Sequence, residues 1–171
     1  KKKGIKYFAG SEDDVMDRFI QAALPEKADI IVRVTGDNIF TDPYWLDETI
    51  KFHIQNNLDY SLQDGLPVGC VCEVITLKNL IKAHEAALDP ENTEYMTFYL
   101  RDESYFKGSQ LKVSQEFYHP DYRLTIDNSE DLKLVQTIFK ELKYKPRQVI
   151  PLIDVIKLLE KKPKLLEINR K

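Results

Sequence analysis

Apolar positions along the chain follow two periods, one helical and one strand-like. Behind Ser11-Glu12-Asp13-Asp14, Val15, Phe19 and Ala22-Ala23 recur at helical spacing and predict an amphipathic helix over residues 12–23. The four preceding residues read as a capping box, with Ser11 at the N-cap and Asp14 reaching back to it. Pro25 stops that helix. Ala28 to Val34 is a short β-branched run ending at Thr35-Gly36, the pattern of a buried parallel strand. Asp42-Pro43 supplies an N-cap and a proline at the first helical position, opening a helix to about Asn56. Asp59 to Leu62 and Val71 to Thr76 read as strands, and Leu77 to about Leu88 as a helix ended by Asp89-Pro90. An aromatic-rich helix is predicted over residues 92–100, and strands at Leu111 to Gln115 and Tyr122 to Ile126. Asn128-Ser129-Glu130-Asp131 then caps a helix to Leu142 with Leu132, Val135, Ile138, Phe139 and Leu142 on one face. Pro151 opens a last helix, and the lysine-rich stretch 163–171 is expected to fray.

Strands alternating with helices predict an α/β fold in layers, with helices covering a mostly parallel sheet. The 171 residues suit one compact domain, 1–171, with a real core. A hydrophobic share of 43% and a charged share of 31% are ordinary for a soluble globular protein. The net charge of −3 comes from interspersed acidic and basic residues, which argues against a dedicated nucleic-acid binder. No apolar run is long enough to cross a bilayer, and the Lys1-Lys2-Lys3 start lacks the apolar stretch of a signal peptide, so a cytoplasmic protein is expected. Cys70 and Cys72 have no second Cys/His pair to complete a zinc site and read as reduced structural thiols. His53, His84 and His119 have no acidic or Cys neighbour at catalytic spacing, and surface or packing roles are expected for them.

In layered α/β folds the site lies at the C-terminal ends of the strands. Two residues meet that test. Asp37 follows one predicted strand in Val34-Thr35-Gly36-Asp37-Asn38, and Asp127 follows another in Leu124-Thr125-Ile126-Asp127-Asn128. Each is a hard oxygen donor that Mg²⁺ accepts, and Gly36 leaves room for a large ligand beside Asp37. Spacing alone leaves a second reading open. Asp is common at turns and caps, and Asp127 would serve equally as a cap for the helix near Ser129.

Gly10-Ser11-Glu12-Asp13-Asp14-Val15-Met16-Asp17-Arg18-Phe19 resembles a segment of the SpsF-type cytidylyltransferases of spore-coat polysaccharide biosynthesis, relatives of the CMP-sugar-acid synthetases. The resemblance continues in order through Arg33 to Asn38, Thr41-Asp42-Pro43, Asp59-Tyr60-Ser61, Gly69 to Glu73, Glu94 with Thr97, and Asp121 to Asp127 with Glu130-Asp131. It implies a three-layer, Rossmann-like nucleotidyltransferase fold and transfer of CMP from CTP to a sugar or sugar acid with release of pyrophosphate. It implies that Asp37 and Asp127 hold Mg²⁺ against the phosphates. Ser11, Asp17, Arg18 and Gly36 become candidates on the nucleotide side, with pure capping still open for Ser11. Asn38, Glu73, Glu94 and Arg123 become candidates for substrate binding, with a structural ion pair still open for Arg123. The partners implied are CTP and the acceptor, with no nucleic acid, no membrane and a possible homodimer.

The chain also departs from the family pattern. Ile39 stands where relatives often carry proline, Tyr95 replaces a histidine, and Asn128-Ser129 replaces Thr-Pro while keeping the cap. Residues 1–10 do not resemble the family's opening strand and its glycine- and arginine-bearing loop. An N-terminally truncated domain, a poor catalyst by itself, is therefore expected. Two alternatives belong to other classes: a non-catalytic nucleotide- or partner-binding domain, and a glycosyltransferase. Asp37-Asn38-Ile39 lacks the D-x-D run that the second of these uses.

Overall fold

The computed structural model describes residues 4–87, 100, 105–144 and 148–170. They fall into two compact units, one of residues 1–33, 53–61 and 74–109 and the other of residues 34–52, 62–73 and 110–171. The described strands are β1 (Ile30–Arg33), β2 (Tyr60–Asp64), β3 (Glu73–Thr76) and β4 (Gly108–Lys112), in the sheet order β1-β3-β2-β4. Asp59 N donates to Lys107 O and Val113 N to Asp64 O, so β2 and β4 run parallel. Thr76 N, at the end of β3, donates to Asp59 O just ahead of β2, so β3 runs against β2. The sheet is therefore mixed rather than mostly parallel. Residues 65–72 join β2 to β3 directly, and a parallel crossover needs a dozen residues or more.

In the first unit, α1 (Val15–Ala23) buries Val15, Met16, Ile20 and Ala23 and packs against α3 (Leu77–Glu85). The helix starts later than the capping-box reading predicts. Ser11 Oγ accepts from Asp13 N at 3.2 Å and Asp14 N at 3.0 Å, closing a turn of its own. Asp14 then caps the helix, its Oδ1 accepting from Asp17 N at 2.9 Å. His84 Nε2 reaches Asp14 Oδ2 at 2.7 Å and ties α3 to that cap. His53 is buried between Ser61 Oγ at 2.9 Å from Nδ1 and Thr76 Oγ1 at 3.0 Å from Nε2. Thr76 Oγ1 donates to Leu58 O, so it accepts from Nε2–H, and Nδ1 accepts from Ser61. That is a neutral histidine in a packing role. Burial pushes its pKa down, against the field of Asp59.

The second unit holds a core of Phe40, Trp45, Cys70, Leu124, Leu134, Ile138, Leu152 and Ile156 with their neighbours. It is bounded by α4 (Ser129–Leu142) and α5 (Leu152–Lys161), which pack on each other. Asp42 organises one edge: Oδ1 accepts from Tyr44 N at 2.9 Å, at the start of α2 (Pro43–Gln55). Its Oδ2 accepts from Leu152 N at 2.8 Å, at the start of α5. One carboxylate satisfies orphan N–H groups of two helices. Both cysteines are free and buried, and burial pushes both thiols up.

Three expectations are corrected in this unit. The predicted strand Tyr122 to Ile126 is reduced to one parallel bridge, Val68 with Arg123. Val68 N donates to Tyr122 O at 2.9 Å and Val68 O accepts from Leu124 N at 2.7 Å, and the ladder stops there because Cys70 N, the next donor on that side, turns back to Pro67 O. The buried stripe of α4 is Asp131, Leu134, Val135 and Ile138, leaving Leu132 and Phe139 exposed. A buried carboxylate rotates the helix away from the all-apolar face. The stretch expected to fray is ordered over its described residues: Pro163–Glu167 form a 3-10 helix, Leu165, Leu166 and Ile168 cover the core, and Asn169 is buried. The predicted helix at 92–100 lies outside the described residues except for Leu100.

Candidate active site

Asp37 and Asp127 are brought together in the second unit, although 90 residues of chain order separate the turns that carry them. Asp37 sits in a turn closed by Asn38 N donating to Thr35 O at 3.1 Å. Asn38 O in turn accepts from Thr41 Oγ1 at 2.9 Å, fixing the exit of the turn. Asp127 precedes α4, whose cap Asn128 accepts from Asp131 N at 2.9 Å. Thr125 joins the two acids. Its Oγ1 lies 3.1 Å from Asp37 Oδ2 and 3.4 Å from Asp127 Oδ1. Thr125 is itself fixed by Gly69, which has φ +89° and packs so closely that a Cβ there would lie 2.3 Å from Thr125 N.

The electrostatics favour an ionised Asp37. The Thr35 side chain holds the Asp37 carboxyl below the usual carboxylate range, opposed by burial and helped by its own backbone N–H, by Thr125 and by Asp127. Asp127 is half exposed and is paired with Arg123 Nη2. Arg123 is also forked onto Asp131, Nε to Oδ1 at 3.2 Å and Nη2 to Oδ2 at 3.1 Å. The Asp131 side chain is fully buried. Burial alone would raise its pKa, but hydrogen bonds from Arg123, Asn169 and Asp127 N hold it down. These hydrogen bonds raise the Arg123 pKa in return, Asp131 contributing most. Arg123 therefore carries the ion-pair role left open from the sequence. It also lines a cavity of about 570 Å³ with Asp121, Lys164, Glu167, Asn169 and Arg170.

Asp37 and Asp127 are oxygen donors of the kind Mg²⁺ accepts. Mg²⁺ is commonly held by one or two carboxylates with waters and substrate phosphates completing its shell. Among the described residues no group of three or more His, Cys, Asp or Glu side chains forms a metal cage. Two carboxylates and open space fit a metal shared with a phosphate ligand. Gly36 contributes to that space, since a Cβ there would meet no atom within 4 Å.

The remaining candidates divide by unit. In the first unit, Arg18 Nη1 donates to Ser11 O at 2.7 Å and Asp17 Oδ1 accepts from Gln21 Nε2 at 3.0 Å. With both N–H contacts on Ser11 Oγ, Ser11 and Arg18 brace the turn into α1, while Asp17 pairs along the helix itself. Glu73 is buried in the second unit. Glu94 lies outside the described residues. Three residues of the site escape local sequence reasoning: Thr125, Asp131 as a buried anchor, and Asn169. Thr125 and Asp127 are two apart in an extended segment, so a period of two signals the first. Nothing local signals Asn169.

Comparison with known proteins adds four findings. The cytidylyltransferase family model matches residues 3–169. The chain is 33% identical over 164 residues to the spore coat polysaccharide biosynthesis protein SpsF of Bacillus subtilis, covering 95% of this chain and 68% of that protein. It is 34% identical over 170 residues to an uncharacterised protein of Methanocaldococcus jannaschii, covering 97% of this chain and 68% of that one. Its fold is similar to the structure of a cytidylyltransferase from Leptospira borgpetersenii, with a TM-score of 0.85 and 26% identity over 99% of this chain and 71% of that one.

Proposed function

The chain belongs to the cytidylyltransferase family and is a nucleotidyltransferase by that membership, and we propose that it serves CMP transfer from CTP to a sugar or sugar acid in surface polysaccharide biosynthesis. The observation that carries this reading is the pair Asp37 and Asp127 gathered on the Thr125 hydroxyl. The reaction is in-line attack of an acceptor hydroxyl on the α-phosphorus, with pyrophosphate leaving. Catalysis of this kind is mostly positioning and charge neutralisation.

Asp37 and Asp127 would hold Mg²⁺, which supplies neutralisation of phosphate charge when bound. Thr125 sets the angle between the two carboxylates. Asp37, held ionised, keeps its oxygens available at neutral pH. Gly36 lets a phosphate approach the turn without meeting a side chain. Asn38, Glu73, Glu94 and Arg123 are proposed on the acceptor side, and Ser11, Asp17 and Arg18 near the nucleotide. A cytoplasmic location and a homodimer go with this reading, and among the described residues no helix is long and apolar enough to cross a membrane.

Titration with Mn²⁺ in the presence of CTP, followed by electron paramagnetic resonance, tests it. Binding is expected to depend on both acids, with Asp37→Asn and Asp127→Asn each strongly weakened. Unchanged metal affinity in both variants would sink the reading. Pyrophosphate release with a panel of sugar acceptors then separates a transferase from a domain that binds CTP without turnover.

A further inference from the structure

Asn169 lies 38 residues beyond Asp131 and touches neither Asp37 nor Asp127 in any described hydrogen bond, yet it closes the network behind them. Its Nδ2 donates to Arg123 O at 3.0 Å and to Asp131 Oδ1 at 2.8 Å. A carboxamide nitrogen has two hydrogens, and both are used. They bridge the extended segment before Asp127 to the first turn of α4 after it.

Asp131 is the next link. Its two oxygens receive four donors: Arg123 Nε and Asn169 Nδ2 on Oδ1, Arg123 Nη2 and Asp127 N on Oδ2. The contact from Asp127 N, at 3.1 Å, fixes the backbone of that residue. The forked Arg123 then brings Nη2 onto Asp127 Oδ2. Asp127 is thus gripped at its backbone and at its side chain by the same anchor. Without the Asn169 carboxamide, Arg123 O and the buried Asp131 Oδ1 each lose a donor where water has poor access. The anchor then loses the contact that sets its distance from residue 123.

We infer that Asn169 is a positioning residue for the Asp37–Asp127 site, acting through Asp131 and Arg123. This rests on the proposed metal-binding role of the two acids. Partners that orient metal ligands from behind are commonly worth about 10- to 100-fold in metal affinity. The loss on removing the Asn169 carboxamide is expected in that range.

The test is Mn²⁺ titration by electron paramagnetic resonance on the full protein and its variants, with unfolding midpoints measured alongside. Asn169→Ala is expected to weaken Mn²⁺ binding about 10-fold or more. Lys162→Ala serves as the matched control, because it breaks the Lys162–Glu141 pair, at 2.6 Å, that fastens the same terminal segment. That variant is expected to bind Mn²⁺ as the parent does. Equal losses in the two variants would mean general anchoring and overturn the inference. Should Asn169→Ala not fold, Asn169→Asp keeps the shape and replaces a donor with an acceptor against Asp131. Parent-like Mn²⁺ affinity in a folded Asn169 variant, with Asp127→Asn still strongly impaired, overturns the positioning role and leaves the site reading standing. Parent-like affinity in Asp37→Asn and Asp127→Asn overturns both.

Discussion

Gly69→Ala puts the packing behind the site under direct test. Gly69 holds φ +89°, where an L-residue is strained by about 1–2 kcal/mol. The added Cβ would lie 2.3 Å from Thr125 N and 2.6 Å from Thr125 Cα. Both atoms are backbone, so no side chain can swing aside. Overpacking of this kind costs about 1–3 kcal/mol, which brings the expected loss of stability to about 2–5 kcal/mol. Relief requires Thr125 to move, and Thr125 Oγ1 is the atom that Asp37 and Asp127 share. Lost stability and lost metal binding should therefore appear together. Urea unfolding followed by fluorescence of Trp45, the sole tryptophan, reads the second unit directly. Gly36→Ala is the internal comparison. Its φ lies outside the left-handed region and its Cβ would meet nothing within 4 Å, so its stability should stay within about 0.5 kcal/mol of the parent. A Gly69→Ala loss below about 1 kcal/mol, or Mn²⁺ affinity equal to that of the parent, would refute the reasoning.

Two further outcomes follow from burial. His53 has a folded pKa below its ordinary value of 6.5, so the unfolded chain binds its proton first as pH falls. Its contribution is fully present above about pH 6.5 and is lost as pH falls from there through the lowered folded value. Thermal unfolding midpoints measured from about pH 7.5 to about pH 5, on either side of the ordinary histidine pKa, should decline in the parent. They should decline less in His53→Gln, and equal slopes would count against the buried neutral histidine. Cys70 and Cys72, both buried with thiols pushed up, should resist iodoacetamide in the folded protein and react in denaturant. Rapid alkylation of either under native conditions would contradict their placement.

Much of this was legible in the residues themselves. Helices α2, α4 and α5 begin where Asp42-Pro43, Asn128 and Pro151 predict, because caps and proline act within one turn of chain. Asp37 and Asp127 are also readable, as acids following strand-like runs within an ordered set of family motifs. Other features depended on which distant surfaces meet. The face α4 buries is set by Asp131, which needs Arg123 and Asn169 to be satisfied, so an apolar tally alone rotates the helix wrongly. Tyr122 to Ile126 has strand composition but pairs only with Val68, because Cys70 N turns back to Pro67 O, and the ladder stops at one bridge.

Sequence by itself determined the elements and the two acids, since helical and strand periods, caps and motif order are local properties of the chain. Tertiary structure alone decided that Thr125 would join those acids across 88 residues and that Asn169 would brace Asp131 from a lysine-rich terminal stretch. A hydrogen bond between residues far apart in the chain is written in no local pattern. It exists because the core brings their backbones together, and because a buried polar group must find a partner there.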